Sequence, residues 1–100
     1  MADVLFLRLA KADFDTAFDW CAERSHNVAI RFADAIRDAL ERIAREPERF
    51  AMIDGIHRQG RVKRFPFRIV FRHDGDHLIV VAVAHHRRQS GYWRSKDEPS

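Results

Sequence analysis

Residues 61–94 read RVKRFPFRIVFRHDGDHLIVVAVAHHRRQSGYWR, and the rest of the chain is best placed around them. Phe67 to Arg72 alternates strictly, with Phe67, Ile69 and Phe71 on one side and Arg68, Val70 and Arg72 on the other. That is the two-residue period of a half-buried strand. His77 to Ala84 is apolar on both faces, the pattern of a central strand. Between them His73-Asp74-Gly75-Asp76 holds the Asp-Gly pair of a tight hairpin turn. Arg61 to Phe65 predicts one strand more, interrupted by Pro66, so the stretch reads as a three-strand meander. The remainder, from His85 to Ser100, reads as irregular or as a short edge segment.

Upstream, residues 47–60 read as a loop, with glycines at 55 and 60 and apolar anchors at Phe50, Met52 and Ile53. Before it, Phe32, Ile36, Leu40 and Ile43 fall on one stripe of a helix about five turns long, which Pro47 stops. Ser25-His26-Asn27 is a polar break that offers N-cap side chains. From Lys11 to Arg24, Phe14, Ala17, Phe18 and Cys21 recur at helical spacing. Asp13, Asp15 and Asp19 suit the positive end of that helix, and Arg24 suits the other. Val4 to Leu9 predicts a first strand. The order is β-α-α-β-β-β, an α+β fold in which a mostly antiparallel sheet is covered on one face by an N-terminal αα-hairpin.

A chain of 100 residues has length for one core, so residues 1–94 are expected to form a single domain and residues 95–100 a polar tail. At 46% hydrophobic and 33% charged the composition suits a soluble globular domain and argues against a disordered chain. No apolar run approaches the ~20 residues of a membrane span, and the N-terminus lacks the pattern of a secretion signal. With Cys21 as the one cysteine, no intrachain disulfide can form. A cytoplasmic protein is expected, without membrane contact and without a cofactor. His73 and His77 flank the hairpin turn with Asp74 and Asp76, where a solvated turn is the plain reading and no metal is expected.

The formal charge of +3 conceals a partition. Residues 1–56 carry eight Lys/Arg and eleven Asp/Glu, whereas residues 57–94 carry nine Lys/Arg against Asp74 and Asp76, a net of +7. With Phe67, Ile69 and Phe71 turned to the helices, Arg68 and Arg72 face the other way, beside Lys63 and Arg61 or Arg64. The last strand delivers His85, His86, Arg87 and Arg88 to one end of the sheet, with Tyr92 and Trp93 behind. Guanidinium groups near aromatic rings suit a phosphodiester backbone with stacked bases. The same charge suits an acidic protein partner, or keeps a sheet face solvated. Metal-free RNA cleavage needs a proton acceptor, a cation over the phosphorane and a proton donor. His85 or His86 offers proton transfer near neutral pH, Arg68 or Arg87 a phosphate clamp, and Tyr92 a donor or a stacking surface. The plainer roles are a strand-end histidine satisfied by backbone, and Tyr92 with Trp93 as an anchor for the chain end.

The aromatic-Arg-aliphatic strand Phe67-Arg68-Ile69-Val70-Phe71, the short turn, the apolar strand and the ending AHHRRQSGYW resemble the RelE/ParE superfamily of toxins from type II toxin–antitoxin systems. The likeness spans nearly the whole chain, helical hairpin included. It implies a toxin neutralised by an acidic, partly disordered cognate antitoxin in a hetero-oligomeric complex. On the RelE side it implies translation inhibition by ribosome-dependent mRNA cleavage, the first expectation here. Arg68 then matches the third-strand arginine and Arg87 the one after the fourth strand, while Arg61, Lys63 or Arg64 match the family's basic residues loosely. Tyr92 stands one residue nearer Arg87 than the family tyrosine does. On the ParE side the resemblance implies inhibition of DNA gyrase without nuclease activity, and His85-His86-Arg87 fits the His-x-Arg ending of that branch. A non-toxic nucleic-acid-binding or assembly module on the same scaffold is the third reading. Arg61, Lys63, Arg64, Arg72, His86 and Arg88 are expected to bind nucleic acid or antitoxin, around Arg68, Arg87, Tyr92 and His85 as the catalytic set.

Overall fold

The structure, a computed structural model, describes residues 3–97. In chain order the elements are β1 (Asp3–Phe6), α1 (Arg8–Arg24), α2 (His26–Arg45), a 3-10 turn (Pro47–Arg49), β2 (Ala51–Met52), β3 (Arg58–Arg61), β4 (Phe67–Asp74), β5 (His77–His85) and a last 3-10 turn (Arg94–Lys96). The strands form one sheet in the order β1-β5-β4-β3-β2, in which only the β1–β5 pair is parallel. This is the expected α+β architecture with one strand added. Residues 51–52, read as loop, pair with β3 through Ala51–Gln59 and Met52–Arg58.

Two boundaries differ from the sequence reading, each for a local reason. The strand expected over residues 61–65 lies at Arg58–Arg61 instead. Gly60 lets it pass close beneath α2 and the following turn, since a Cβ there would stand 3.0 Å from the Phe50 ring and 3.1 Å from Ile43. Arg64, at φ +70°, then turns the chain toward Pro66. At the other boundary α1 begins at Arg8, three residues before Lys11, so its first turn holds no acidic side chain. Asp13 bonds across to the sheet instead. The break between helices is a single extended residue, Ser25, whose hydroxyl accepts the Val28 N–H at 3.4 Å as an N-cap.

The sheet has two unlike faces. On the inner face Ile69, Phe71, Leu78, Val80 and Val83 pack with Phe32, Ile36 and Ile43 of α2 and Ala10, Ala17 and Cys21 of α1. Phe32 centres an aromatic group, 5.6 Å from Phe14 and 5.3 Å from both Phe65 and Phe67. On the outer face Val70, Ile79, Val81 and Ala82 form a second cluster beneath Trp93, which is 2% exposed. A register shift sets this division: Val70 pairs with Ala82 and Phe71 with Val80, which leaves Val81 as an extra residue of β5. Val81 and Ala82 therefore both belong to the outer cluster. The outer face, expected to be open and cationic, is apolar at its centre and roofed by the chain end.

Candidate functional site

The roof is fastened at two points. Residues 53–57 close a turn in which the Ile53 N–H donates to the His57 carbonyl at 2.8 Å, and the Asp54 carboxylate accepts the N–H groups of Ile56 and His57. That turn presents the His57 ring to Trp93, with centroids 4.5 Å apart. His57 Nδ1 meets Asp54 Oδ2 at 2.9 Å, and its Nε2 meets Asp97. Asp97 also accepts Arg72, from Nε at 2.9 Å and from Nη2 at 2.9 Å, the two-pronged geometry that guanidinium favours. Burial alone pushes the Asp97 carboxyl up, but the bonds from Arg72 and His57 outweigh it and hold it below the usual carboxylate range. Asp54 is held low in the same sense, its burial outweighed by the bonds from His57 and Ile56.

The second fastening joins α1, β5 and the chain end. β1 stops at Phe6, so the Val83 N–H on that edge of β5 has no strand beside it and donates to Asp13 Oδ2 at 3.1 Å. The Tyr92 hydroxyl donates to the same oxygen at 2.7 Å, and the Arg88 guanidinium lies 4.0 Å over the Tyr92 ring. Burial raises the Asp13 pKa, against the bonds from Tyr92 and Val83 and the charge of Arg88. Burial and the Asp13 carboxylate together push the Tyr92 phenol well above its ordinary range.

The cationic residues gather at the end of the sheet where β5 stops. His86 N–H donates to the Pro66 carbonyl at 2.9 Å, which ties the β5 end to the β3–β4 connection. Arg61 and Arg68 are cross-strand partners. Among the described residues neither joins an ion pair, and the same is true of Lys63, Arg64, Arg87 and Arg88. His85 packs edge-on to Phe67 at 5.0 Å and stacks on His86 at 4.7 Å. Its Nδ1 accepts the Arg87 N–H at 3.0 Å. Burial first, then the neighbouring His86 and Arg87, lower its pKa from the ordinary value. Arg42, Arg61, Val62, Lys63, Arg64 and Phe65 line an open cleft of about 410 Å³ beside this end.

The expected set is thus brought together only in part. Arg61, Lys63, Arg64, Arg68, His85, His86, Arg87 and Arg88 belong to one end of the sheet and the loop that follows it. Arg72 departs from the expectation, because Asp97 holds its guanidinium on the outer face. The chain end departs as well: Asp97, assigned to a polar tail, has a side chain only 4% exposed. His57, Asp54, Asp97 and Asp13 were not singled out by sequence as a group. Their partners lie 25 to 79 positions away apart from the Asp54–His57 turn, and no local period marks them. The one available signal was the Asp-Gly-x-His turn itself.

Among solved structures, a chain described as the chromosomal ParDE TA system from P. aeruginosa superposes with a TM-score of 0.73 at 19% identity, over 85% of this chain and 96% of that one. No curated protein matches the sequence. A family model described as the ParE toxin of the type II toxin–antitoxin system parDE matches residues 4–90. A match of that extent, on a hairpin-covered sheet of this topology, makes the chain a member of the ParE toxin family.

Proposed function

We propose that this chain is a toxin of the gyrase-inhibiting kind, which acts by holding a protein target rather than by cutting RNA, and that a cognate acidic antitoxin neutralises it. The observation that carries this reading is the state of Tyr92. Its hydroxyl hydrogen is directed to Asp13, and its pKa lies above the ordinary value, so it is a poor proton donor at neutral pH. His85 adds to this, because its Nδ1 lone pair already accepts a backbone N–H. The cationic side chains around them remain outward, which suits binding to an acidic protein surface. The ParE family model supports the same branch, which reverses the order in which the sequence alone ranks the two targets. The antitoxin rests on the relative described as a ParDE system and on the +7 charge of residues 57–94.

Purified chain incubated with gyrase and supercoiled DNA is expected to accumulate cleaved complexes, while ribosome-bound message in a translation extract stays whole. Cuts in that message with gyrase unaffected would overturn the reading.

A further inference from the structure

The dipeptide Asp-Gly occurs twice in the chain, at residues 54–55 and 74–75, and the fold treats the two copies oppositely. The glycines are alike. Both are exposed, both take positive φ (+84° at Gly55, +62° at Gly75), and no other part of the chain comes within 4 Å of the place a Cβ would occupy. Neither N–H donates a backbone hydrogen bond among the described residues. The aspartates differ. Asp54 Oδ1 accepts the Ile56 N–H at 3.1 Å and the His57 N–H at 2.7 Å. Its Oδ2 meets His57 Nδ1 at 2.9 Å and Arg94 Nε at 3.4 Å. Asp74 is exposed at the end of β4, and among the described residues its carboxylate accepts no hydrogen bond and joins no ion pair. The nearest arginine on its face, Arg72, is already held by two prongs on Asp97.

We propose that the Asp74–Gly75 bond is a site of spontaneous isoaspartate formation, and that the Asp54–Gly55 bond is protected from the same reaction by its hydrogen bonds. The Gly75 nitrogen attacks the side-chain carboxyl carbon of Asp74 and forms a new N–C bond. The amide proton and the carboxyl hydroxyl leave as water, and a five-membered succinimide remains. Water then opens the ring at either carbonyl, so mass and electron count return to their starting values. Opening at the side-chain carbon restores aspartate. Opening at the backbone carbon leaves isoaspartate, with the main chain running through the side chain and one methylene longer. Glycine favours the attack, because no side chain shields its nitrogen and its backbone rotates freely. The carboxyl must also be mobile enough to reach that nitrogen, and in the acid form to lose water. At Asp54 both are opposed. Its oxygens are fixed on amides two and three residues on, and those bonds outweigh burial and hold the carboxyl below the usual carboxylate range. At Asp74 the added methylene disturbs the Asp74–His77 rung at the end of the ladder and spares the core, which begins at Phe71 and Leu78.

The test ages the full chain for weeks at neutral pH, then labels isoaspartate with an isoaspartyl methyltransferase and radioactive S-adenosylmethionine. Trypsin separates the two sites, since cleavage after arginine yields fragments 50–58 and 73–87. Fragment 73–87 is expected to carry roughly tenfold or more the label of fragment 50–58. That ratio needs about 1.4 kcal/mol of barrier, within what hydrogen bonds to a charged group are worth. In denaturant the two fragments are expected to label alike, which assigns the difference to the fold. Asp74→Glu, which would have to close a less favoured six-membered ring, is expected to lose the label, and Asp76→Glu to keep it. Equal labelling of the two fragments in the folded chain overturns the proposal, as does label in fragment 73–87 that survives Asp74→Glu. A difference that persists unchanged in denaturant overturns the protection assigned to Asp54.

Discussion

Arg68 and Arg72 occupy the same strand, four residues apart and on the same face, and they end in opposite states. Arg72 is held by two prongs on Asp97, inside a cluster that includes His57 and Asp54. Arg68 faces Arg61 across the ladder and, among the described residues, meets no carboxylate. The difference lies in what the chain end reaches. Residues 92–97 cross the outer face and bring a counter-charge to one half of it only. One half of the face is therefore tied down by the chain end, and under the function proposed above the other half is the one that meets a partner. Alternation in sequence places both arginines on that face without telling the two roles apart.

The comparison can be broken from the structural side first. Trp93→Ala removes the roof over Val70, Ile79, Val81 and Ala82, and is expected to destabilise the fold by about 4 kcal/mol, read from the denaturant midpoint. Asp97→Asn leaves the mostly covered Arg72 guanidinium without its counter-ion, at about 3 kcal/mol by the same measurement. The acid limb of stability carries the same information. The Asp97 pKa is depressed in the folded chain, so its contribution is complete above the unfolded value near about 3.9 and is lost as pH falls through the folded value. Melting temperature should fall on acidification below about pH 4 in the parent, and less steeply in Asp97→Asn.

Smaller effects sharpen the contrast. Tyr92→Phe deletes a hydrogen bond to a carboxylate and is expected to lower stability by about 1.5 kcal/mol while leaving growth arrest intact. Loss of arrest in a variant that remains folded would return Tyr92 to a catalytic role. Arg68→Gln is expected to leave stability within about 0.5 kcal/mol, since it removes one of two opposed like charges. Its effect should appear instead as weaker, less salt-sensitive binding of an acidic partner, measured by titration at two ionic strengths.

The elements with a regular period were legible in the sequence. The Phe32, Ile36 and Ile43 stripe is the buried face of α2, and the Phe67, Ile69 and Phe71 alternation is the inner face of β4. What escaped has no period. The two-residue β2 is too short to show alternation, and β3 lies earlier than expected because Gly60 fits under Phe50. Of the candidate site, the cations were legible by type and by clustering. Which of them is neutralised was not, because Asp97 meets Arg72 across 25 positions and His57 across 40. Asp13 misled for a related reason: a carboxylate early in a helix reads as a partner of the helix end, whereas here it meets a strand 70 residues on.

That last contact also bears on how an open strand edge is protected. β5 is flanked by a neighbour strand on one side along its whole length, but on the other only as far as Val80. An unprotected run of strand edge is an invitation to foreign pairing and to aggregation. By seating a charged oxygen on the Val83 amide, α1 occupies the donor that an incoming strand would use and sets a negative charge in its path. Among the described residues the sheet's outermost strands, β1 and β2, are four and two residues long, too short to template extended pairing. The central strand is thus guarded, by one aspartate, against the indiscriminate addition of strands along its open edge.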